Sequence, residues 1–347
     1  MSSWDSEPVP EQDWAVLDRI PLRQVTLFSG EGAAGKSTEQ LHLSAAHALA
    51  RDWLGTMPEP GPALFVDAED DDKVLHRRLA AILNHYGVTF KDVVEGGLHL
   101  ISLAGHDAVL AAASRSGKIE PTPRYKQLLE AAGDIRPKMI GIASSANVYA
   151  GSEIDRSQVQ QFISLLTAAA QRASGALVLI THPSLTGINT DTGLSGNTQW
   201  HNAVRARFYM KGVKPEAGEQ PDSDLREIVF KKNNYGPVSA SIVVRYQNGL
   251  FLPLPGVSSL DRAAREAKAD EIFLELLRNF TKQNRRVSNN LGPTYAPTLF
   301  AREDVARKAG IGGTDLAEAM RRLFAAGKIH NEPHGKPSRE RFHLAVK

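Results

Sequence analysis

Not one of the 347 residues is a cysteine. That excludes a disulfide framework, a Cys-ligated zinc site and cysteine nucleophiles, and it leaves the redox compartment open. Excess charge of one sign is also missing: 41 Lys+Arg face 39 Asp+Glu, a formal net charge of +2. A uniformly basic coat is therefore ruled out. There is no stretch of 18 apolar residues, and the longest apolar runs are strand-sized, so no membrane partner is expected. The opening MSSWDSEPVPEQDW lacks a basic region followed by an apolar run. No signal peptide is expected there, and the expected location is cytoplasmic.

The small net charge conceals an asymmetry. Residues 260–347 hold 17 Lys/Arg and 11 Asp/Glu, a balance of +6, and the remaining 259 residues hold 24 and 28, a balance of −4. A basic carboxyl-terminal segment on a slightly acidic body suits a polyanion-facing appendage, although the field over 88 residues is weak. At about 100–200 residues per domain, the length calls for one large domain and one small one. The expected division is a core with an amino-terminal arm over 1–256, a linker over 257–269, and a small domain over 270–347.

Along the core, QVTLFS (24–29), ALFVDAED (63–70), LHLIS (98–102), KMIGIASS (138–145) and ALVLITHP (176–183) read as buried strands. Helical patterns over 37–53, 73–86 and 155–174 alternate with them. This predicts an α/β fold with a central, mostly parallel sheet covered on both faces. Residues 105–126 show no clear period and read as a mobile loop, and 184–202 is a loop by composition. RARFYMKG, REIVFKKNNYG, SIVVRYQNG and LFLPL then alternate like antiparallel strands, with 214–224 as an exposed hairpin tip.

Gly30-Glu31-Gly32-Ala33-Ala34-Gly35-Lys36-Ser37 fits G-x-x-x-x-G-K-[ST] between a strand and a helix. Glycines let such a turn wrap closely, so successive N–H groups face phosphate oxygens, helped by the helix N-terminus. Lys36 would reach the β/γ-phosphates and the Ser37 hydroxyl would ligate Mg²⁺, with Thr38 next on the helix. Chance produces about one or two such matches per hundred chains of this length, before the strand–turn–helix context is required. The site is read as binding ATP.

A P-loop enzyme also needs a carboxylate for Mg²⁺, usually at the end of a buried strand. After Met139-Ile140-Gly141-Ile142 stands Ala143, followed by Ser144 and Ser145. The nearest acids end the second strand: Asp67, taken as the second metal-side residue, then Glu69, Asp70 and Asp71. A solvated helix start explains Asp70, Asp71 and Asp72 equally well, and Glu69 less well. His182, ending ALVLIT, would face the ligand crevice and sense the γ-phosphate, though a lone histidine is often structural. Arg205 and Arg207 sit two apart on a strand; one could act in trans on a neighbouring subunit, or both are ordinary strand charges. Lys232, in KKNNYGP, could reach a phosphate or simply belong to a hairpin.

The order of these motifs resembles the RecA-like hexameric helicases, and in particular the RepA-type replicative helicases of plasmids and phages. The resemblance covers about residues 14–255. It implies a hexameric ring with ATP and Mg²⁺ between subunits and single-stranded DNA in the central channel. It implies Glu69 as the base that polarises the attacking water, His182 as sensor, and Arg205 as arginine finger with Arg207 second. Lys232 matches the lysine of the K-x-R-x-G-P segment of DnaB-type helicases, with Asn234 where a second cation would stand. Ala143 replaces the strand-end aspartate of the group.

In such rings the loops 105–126 and 184–202 would face the channel. Arg115, Lys118, Arg124 and Lys126 suit contact with a phosphate backbone, or are plain surface charges. The segment 270–347 reads as a winged helix, with helices over 270–284, 300–311 and 312–329, the last capped by Thr314 or Asp315. Arg321 and Arg322 would face DNA, and the wing would add Lys336, Arg339 and Arg341. Many winged helices bind protein instead. Two alternatives remain beside the helicase: a filament-forming recombinase or annealing ATPase, and an ATP-controlled DNA-binding regulator or initiator with little hydrolysis. Ala143 favours the regulator.

Overall fold

The computed structural model describes residues 4, 9–184, 187, 193, 198–213, 222–238, 241–254, 259–290, 292–334 and 341–347, with backbone alone at 259–265, 314, 325 and 341. The chain divides into two compact units, Met1–Leu254 and Pro255–Lys347.

The first unit is built on nine strands: β1 (Val25–Gly30), β2 (Ala63–Asp67), β3 (Leu98–Ser102), β4 (Met139–Ala143), β5 (Ala176–Thr181), β6 (Ala206–Gly212), β7 (Leu225–Asn233), β8 (Ile242–Gln247) and β9 (Leu250–Pro253). Their order across the sheet is β9-β8-β7-β6-β1-β5-β4-β2-β3. The first six run parallel, and β7 to β9 complete the sheet as an antiparallel meander. The fold is α/β with a mixed, mostly parallel sheet. β1, β2, β4 and β5 are buried along their whole length, as parallel strands covered on both faces must be.

Helix α1 (Lys36–Leu49) covers one face, with Leu41, Leu43, Ala45 and Ala46 in the core beside Phe28 and Phe65. The other face is covered by α3 (Pro123–Ile135) and α5 (Arg156–Ala173), whose Phe162, Ile163 and Leu166 pack on Leu177 and Leu179. Between β2 and β3 lies α2 (Asp72–Tyr86). Its N-cap is Asp71, which accepts from the Val74 amide. The helix-start reading of that acid is thus the one realised.

Two expectations for this unit need correcting. The first of the four late strands is not antiparallel on both sides: β6 runs parallel to β1 and antiparallel to β7. Alternation fixes which side chains face the core, but it says nothing of strand direction. Nor is 105–126 a loop. Ala111–Ala113 pairs with Ile119–Pro121 and, in parallel, with Tyr149–Ala150, which follows a single-turn helix, α4 (Ser145–Val148). Three-residue strands are too short to show a period.

The second unit has its own core of Phe273, Leu277, Phe280, Phe300, Leu316, Leu323, Ile329 and Leu344. It comprises α7 (Ser259–Lys282), α8 (Ala296–Phe300), α9 (Asp304–Lys308), α10 (Gly313–Ala325) and the hairpin of β10 (Ile329–His334) with β11 (Arg341–Val346); α6 (Gln199–Ala203) belongs to the first unit. The expected linker over 257–269 is helical from Ser259, because Ala, Arg, Glu and Lys propagate a helix without an apolar face. The expected second helix splits into α8 and α9 at a turn in which Glu303 N–H donates to the Phe300 carbonyl. The N-cap of α10 is Gly312, whose N–H donates to Asp315 Oδ2 at 2.9 Å.

Candidate functional site

Two glycines of the phosphate-binding turn are required, for distinct reasons. Gly35 has φ +100°, and a Cβ there would lie 2.1 Å from Phe251 Cε2; at Gly30 a Cβ would lie 2.4 Å from the Met210 carbonyl. Gly32 has no atom within 4 Å of a Cβ and faces open space. Lys36, only 5% exposed, donates from Nζ to the carbonyls of Gly30 at 2.8 Å and Glu31 at 2.7 Å. Burial lowers its pKa to about 8, against the opposing pull of Glu69 and Glu31. A cation already half-stripped of water and held by two carbonyls is ready to exchange them for phosphate oxygens.

Ala33, Ala34, Gly35, Lys36, Ser37 and Thr38 form one wall of a cavity of about 650 Å³. Gly30, Glu31 and Gly32 lie outside that wall and shape the turn. Glu69 and His182 line the same cavity, with His182 Nε2 3.9 Å from Glu69 Oε1. Burial and the Lys36 charge hold His182 below the usual histidine range, although Glu69 pulls the other way. At neutral pH the ring is therefore uncharged, with one nitrogen able to donate.

Asp67 is not brought to the cavity. It is fully buried, and its Oδ1 accepts from the amides of Glu69 at 2.8 Å and Asp70 at 3.0 Å. It shapes the turn that carries Glu69, and burial raises its pKa. Ala143 pairs in register with Asp67 and is itself fully buried. The next residue supplies the polar group at this strand end: Ser144 donates to Glu69 Oε1 at 2.5 Å.

No local sequence signal marks the far wall. It consists of Arg77, Arg78 and Ala81 on α2, Ser223, Asp224 and Arg226 before and within β7, and Tyr246, Gly249 and Phe251 at the β8–β9 turn. Arg78 forms an ion pair with Asp70, so Asp70 is engaged by its own chain.

The expected trans-acting groups gather at the other end of the sheet. Arg207 pairs with Leu27, and the Arg205 N–H donates to the Val25 carbonyl at 3.3 Å. The end of β1 at Gly30 is three to five residues away, roughly 10–17 Å at 3.3 Å per residue. Arg205 is exposed. Arg207 does not fit the finger role, because it is 4% exposed and Nη1 donates to the Gly193 carbonyl at 2.8 Å. Lys232 is likewise engaged, donating to the carbonyls of His201 at 2.9 Å and Asn202 at 3.3 Å.

Of the expected nucleic-acid contacts, Arg115 and Lys118 are exposed on the 114–118 turn. Arg124 instead stands in the first turn of α3, donating to the Asp107 carbonyl at 3.1 Å and Gln127 Oε1 at 2.8 Å. Arg321 is exposed beside Glu318. Arg322 does not face outward: it binds Asp270 Oδ1 at 2.7 Å and the Glu266 carbonyl at 3.2 Å, tying α10 to α7. Lys336, Arg339, the Arg341 side chain and most of 184–202 lie outside the described residues.

A family model described as an AAA domain matches residues 2–187, more than half of the chain. The chain belongs to the AAA domain family. No curated protein matches it. Among solved structures, a crystal structure of the RadB recombinase aligns with a TM-score of 0.45 and 12% identity, over 68% of this chain and 92% of that one.

As an AAA-domain P-loop protein, the chain binds ATP, and this cavity is the candidate site. The donor set fits the substrate: Lys36, the amides of the turn that Gly30 and Gly35 let wrap without collision, and the α1 N-terminus for the phosphates. For the Mg²⁺ that accompanies ATP, Ser37 offers its hydroxyl; the buried Ala143 offers nothing, and Glu69 and Asp70 are the carboxylates on the wall. When bound, the ion neutralises phosphate charge. Among the described residues no helix is long and apolar enough to cross a membrane.

Proposed function

We propose that this AAA-domain ATPase is a motor on single-stranded DNA, of the RepA-type replicative helicase kind, working as a ring of identical subunits. The observation carrying the reading is the grouping of Lys36, Glu69 and His182 around one cavity. Water approaching the γ-phosphorus from the Glu69 side gives its proton to the carboxylate, Lys36 holds the phosphate oxygens, and His182 donates to the departing phosphate. Arg205, exposed at the opposite end of the sheet, is too far to serve its own cavity, which supports a role for it in a neighbour's. Arg115 and Lys118 supply cations for a phosphate backbone without base readout. The second unit, with four helices and a hairpin among the described residues, acts as a winged-helix appendage.

The test is ATP turnover by the full chain with and without oligo-dT, with Lys36→Ala expected to abolish it. Turnover that oligo-dT leaves unchanged would sink the motor. Negative-stain images show whether rings form.

Ala143 favours a second reading, an ATP-gated DNA-binding protein with little hydrolysis. Ala143→Asp decides between them. A large gain in turnover supports the gate, and no gain supports a motor that has dispensed with this carboxylate.

A further inference from the structure

The cationic excess of residues 260–347 is unevenly placed on the second unit. Helix α10 holds two cations, and both are engaged. Arg321 pairs with Glu318 at 2.9 Å, and Arg322 binds Asp270 Oδ1 at 2.7 Å. Asp315 accepts from the Gly312 N–H at the start of the same helix. With Asp315 and Glu318 set against Arg321 and Arg322, α10 carries no net charge. That is a poor footing on a polyanion.

The balance differs where α7 ends and α9 begins. Arg285 Nη2 lies 3.5 Å from Glu303 Oε1, which brings the turn after α7 against the turn before α9. The first turn carries Lys282, Arg285 and Arg286; the second, with α9, carries Arg302, Arg307 and Lys308, and all six are exposed. The acids among them, Glu303 and Asp304, are taken up by Arg285 and Arg307. The side chains of Lys282, Arg286, Arg302 and Lys308 make no hydrogen bond or ion pair among the described residues.

Arg285 is already fixed. Its guanidinium lies 3.7 Å from the centre of the Phe280 ring, and Nη1 donates to Gln283 Oε1 at 3.1 Å. A guanidinium held on an aromatic face loses little freedom when it takes on a phosphate oxygen. Phe280 and Phe300 are themselves buried, so the surface has no ring on which an unpaired base could stack. Cations without a stacking platform suit the regular backbone of a duplex better than a single strand.

We propose that this surface, Lys282 to Arg286 with Arg302 to Lys308, docks on the phosphate backbone of duplex DNA without reading its bases, and that α10 is not a reading helix. Such a contact fixes position on the duplex and carries no sequence information. It needs neither bound ATP nor hydrolysis, so it stands apart from the motor reading.

The test titrates the full chain, without nucleotide, into a fluorescein-labelled duplex and into labelled oligo-dT over a range of salt concentrations. The triple variant Arg286→Gln, Arg302→Gln, Lys308→Gln should bind duplex at least about tenfold more weakly near physiological salt. Its slope of log affinity against log salt should be shallower by about two to three, since each phosphate contact contributes roughly 0.9. These side chains have no partner to lose, so the melting temperature should hold. If the triple variant does not fold, the three single substitutions carry the test, each lowering the slope by about one. Arg321→Gln should leave affinity and slope unchanged, two duplexes of unrelated sequence should respond alike, and oligo-dT affinity should fall much less than duplex affinity. Wild-type affinity and slope in the variants overturn the proposal, as does a wild type that does not bind duplex at low salt. A loss in Arg321→Gln as large as in the triple variant returns the contact to α10 and overturns it too. An equal or larger loss on oligo-dT overturns it in favour of a single strand, and a loss on one duplex sequence alone overturns the backbone contact.

Discussion

Two lysines at opposite ends of the sheet make the same bonds and do different work. Lys36 and Lys232 each donate to two backbone carbonyls, and burial lowers the pKa of both. Lys36 lines a cavity, so a phosphate can replace its carbonyls. The carbonyls of Lys232 belong to α6 and its end, next to a buried Arg207 held by Gly193. The cation count says little about function. What decides it is whether the partners of a cation can be exchanged for a ligand.

The sharpest break in that comparison is substitution of each lysine. Lys36→Ala should cut ATP turnover by at least about a hundredfold, through loss of charge stabilisation at the transferring phosphoryl group. Lys232→Ala should leave affinity for ATP unchanged and lower the melting temperature by a few degrees, about 1 kcal/mol for its hydrogen bonds. Equal losses of ATP affinity in the two variants would dissolve the distinction.

Next in size is the glycine contrast. Gly35→Ala combines a left-handed backbone with a collision at Phe251 and should cost more than about 1–2 kcal/mol in stability, besides ATP affinity. Gly32→Ala meets no atom and should stay within about 0.5 kcal/mol.

The pH dependence follows from burial. With Lys36 at about 8 in the folded chain and near 10.5 when unfolded, the unfolded state binds more protons between those values. Ligand-free stability therefore gains a contribution as pH rises from about 8 to 10.5. Affinity for ATP should move the opposite way, weakening by up to about tenfold per pH unit above 8, because the neutral amine holds phosphate poorly. Calorimetry and titration with a fluorescent analogue check the two trends.

The smallest effects separate the two arginines of α10. Arg322→Ala should destabilise the second unit by about 1 kcal/mol, and Arg321→Ala by less than about 0.5 kcal/mol. Denaturant unfolding resolves the difference.

The legible parts of the site were those made of contiguous residues. The strand–glycine–helix turn over 30–38, the acids after β2 and the histidine after β5 each carry a local signal. The far wall joins α2 to residues near 223–226 and 246–251, well over a hundred positions on, and no local period reports that meeting. Arg205 and Arg207 look alike in a strand of period two; one is exposed, and the other is buried and donates to the Gly193 carbonyl, a partner far off in sequence. Asp67 looked like a metal ligand because it ends a strand. Its neighbours' amides, invisible in the sequence, turn it into a scaffold for Glu69.

We propose Glu69, held beside Lys36 and His182, as the base for DNA-driven ATP hydrolysis. Single-turnover hydrolysis of prebound ATP, with oligo-dT, compared between the wild type and Glu69→Gln, tests it most directly. The predicted result is a loss of about a hundredfold or more in the chemical step with ATP still bound. A Glu69→Gln protein that hydrolyses ATP at the wild-type rate would contradict it.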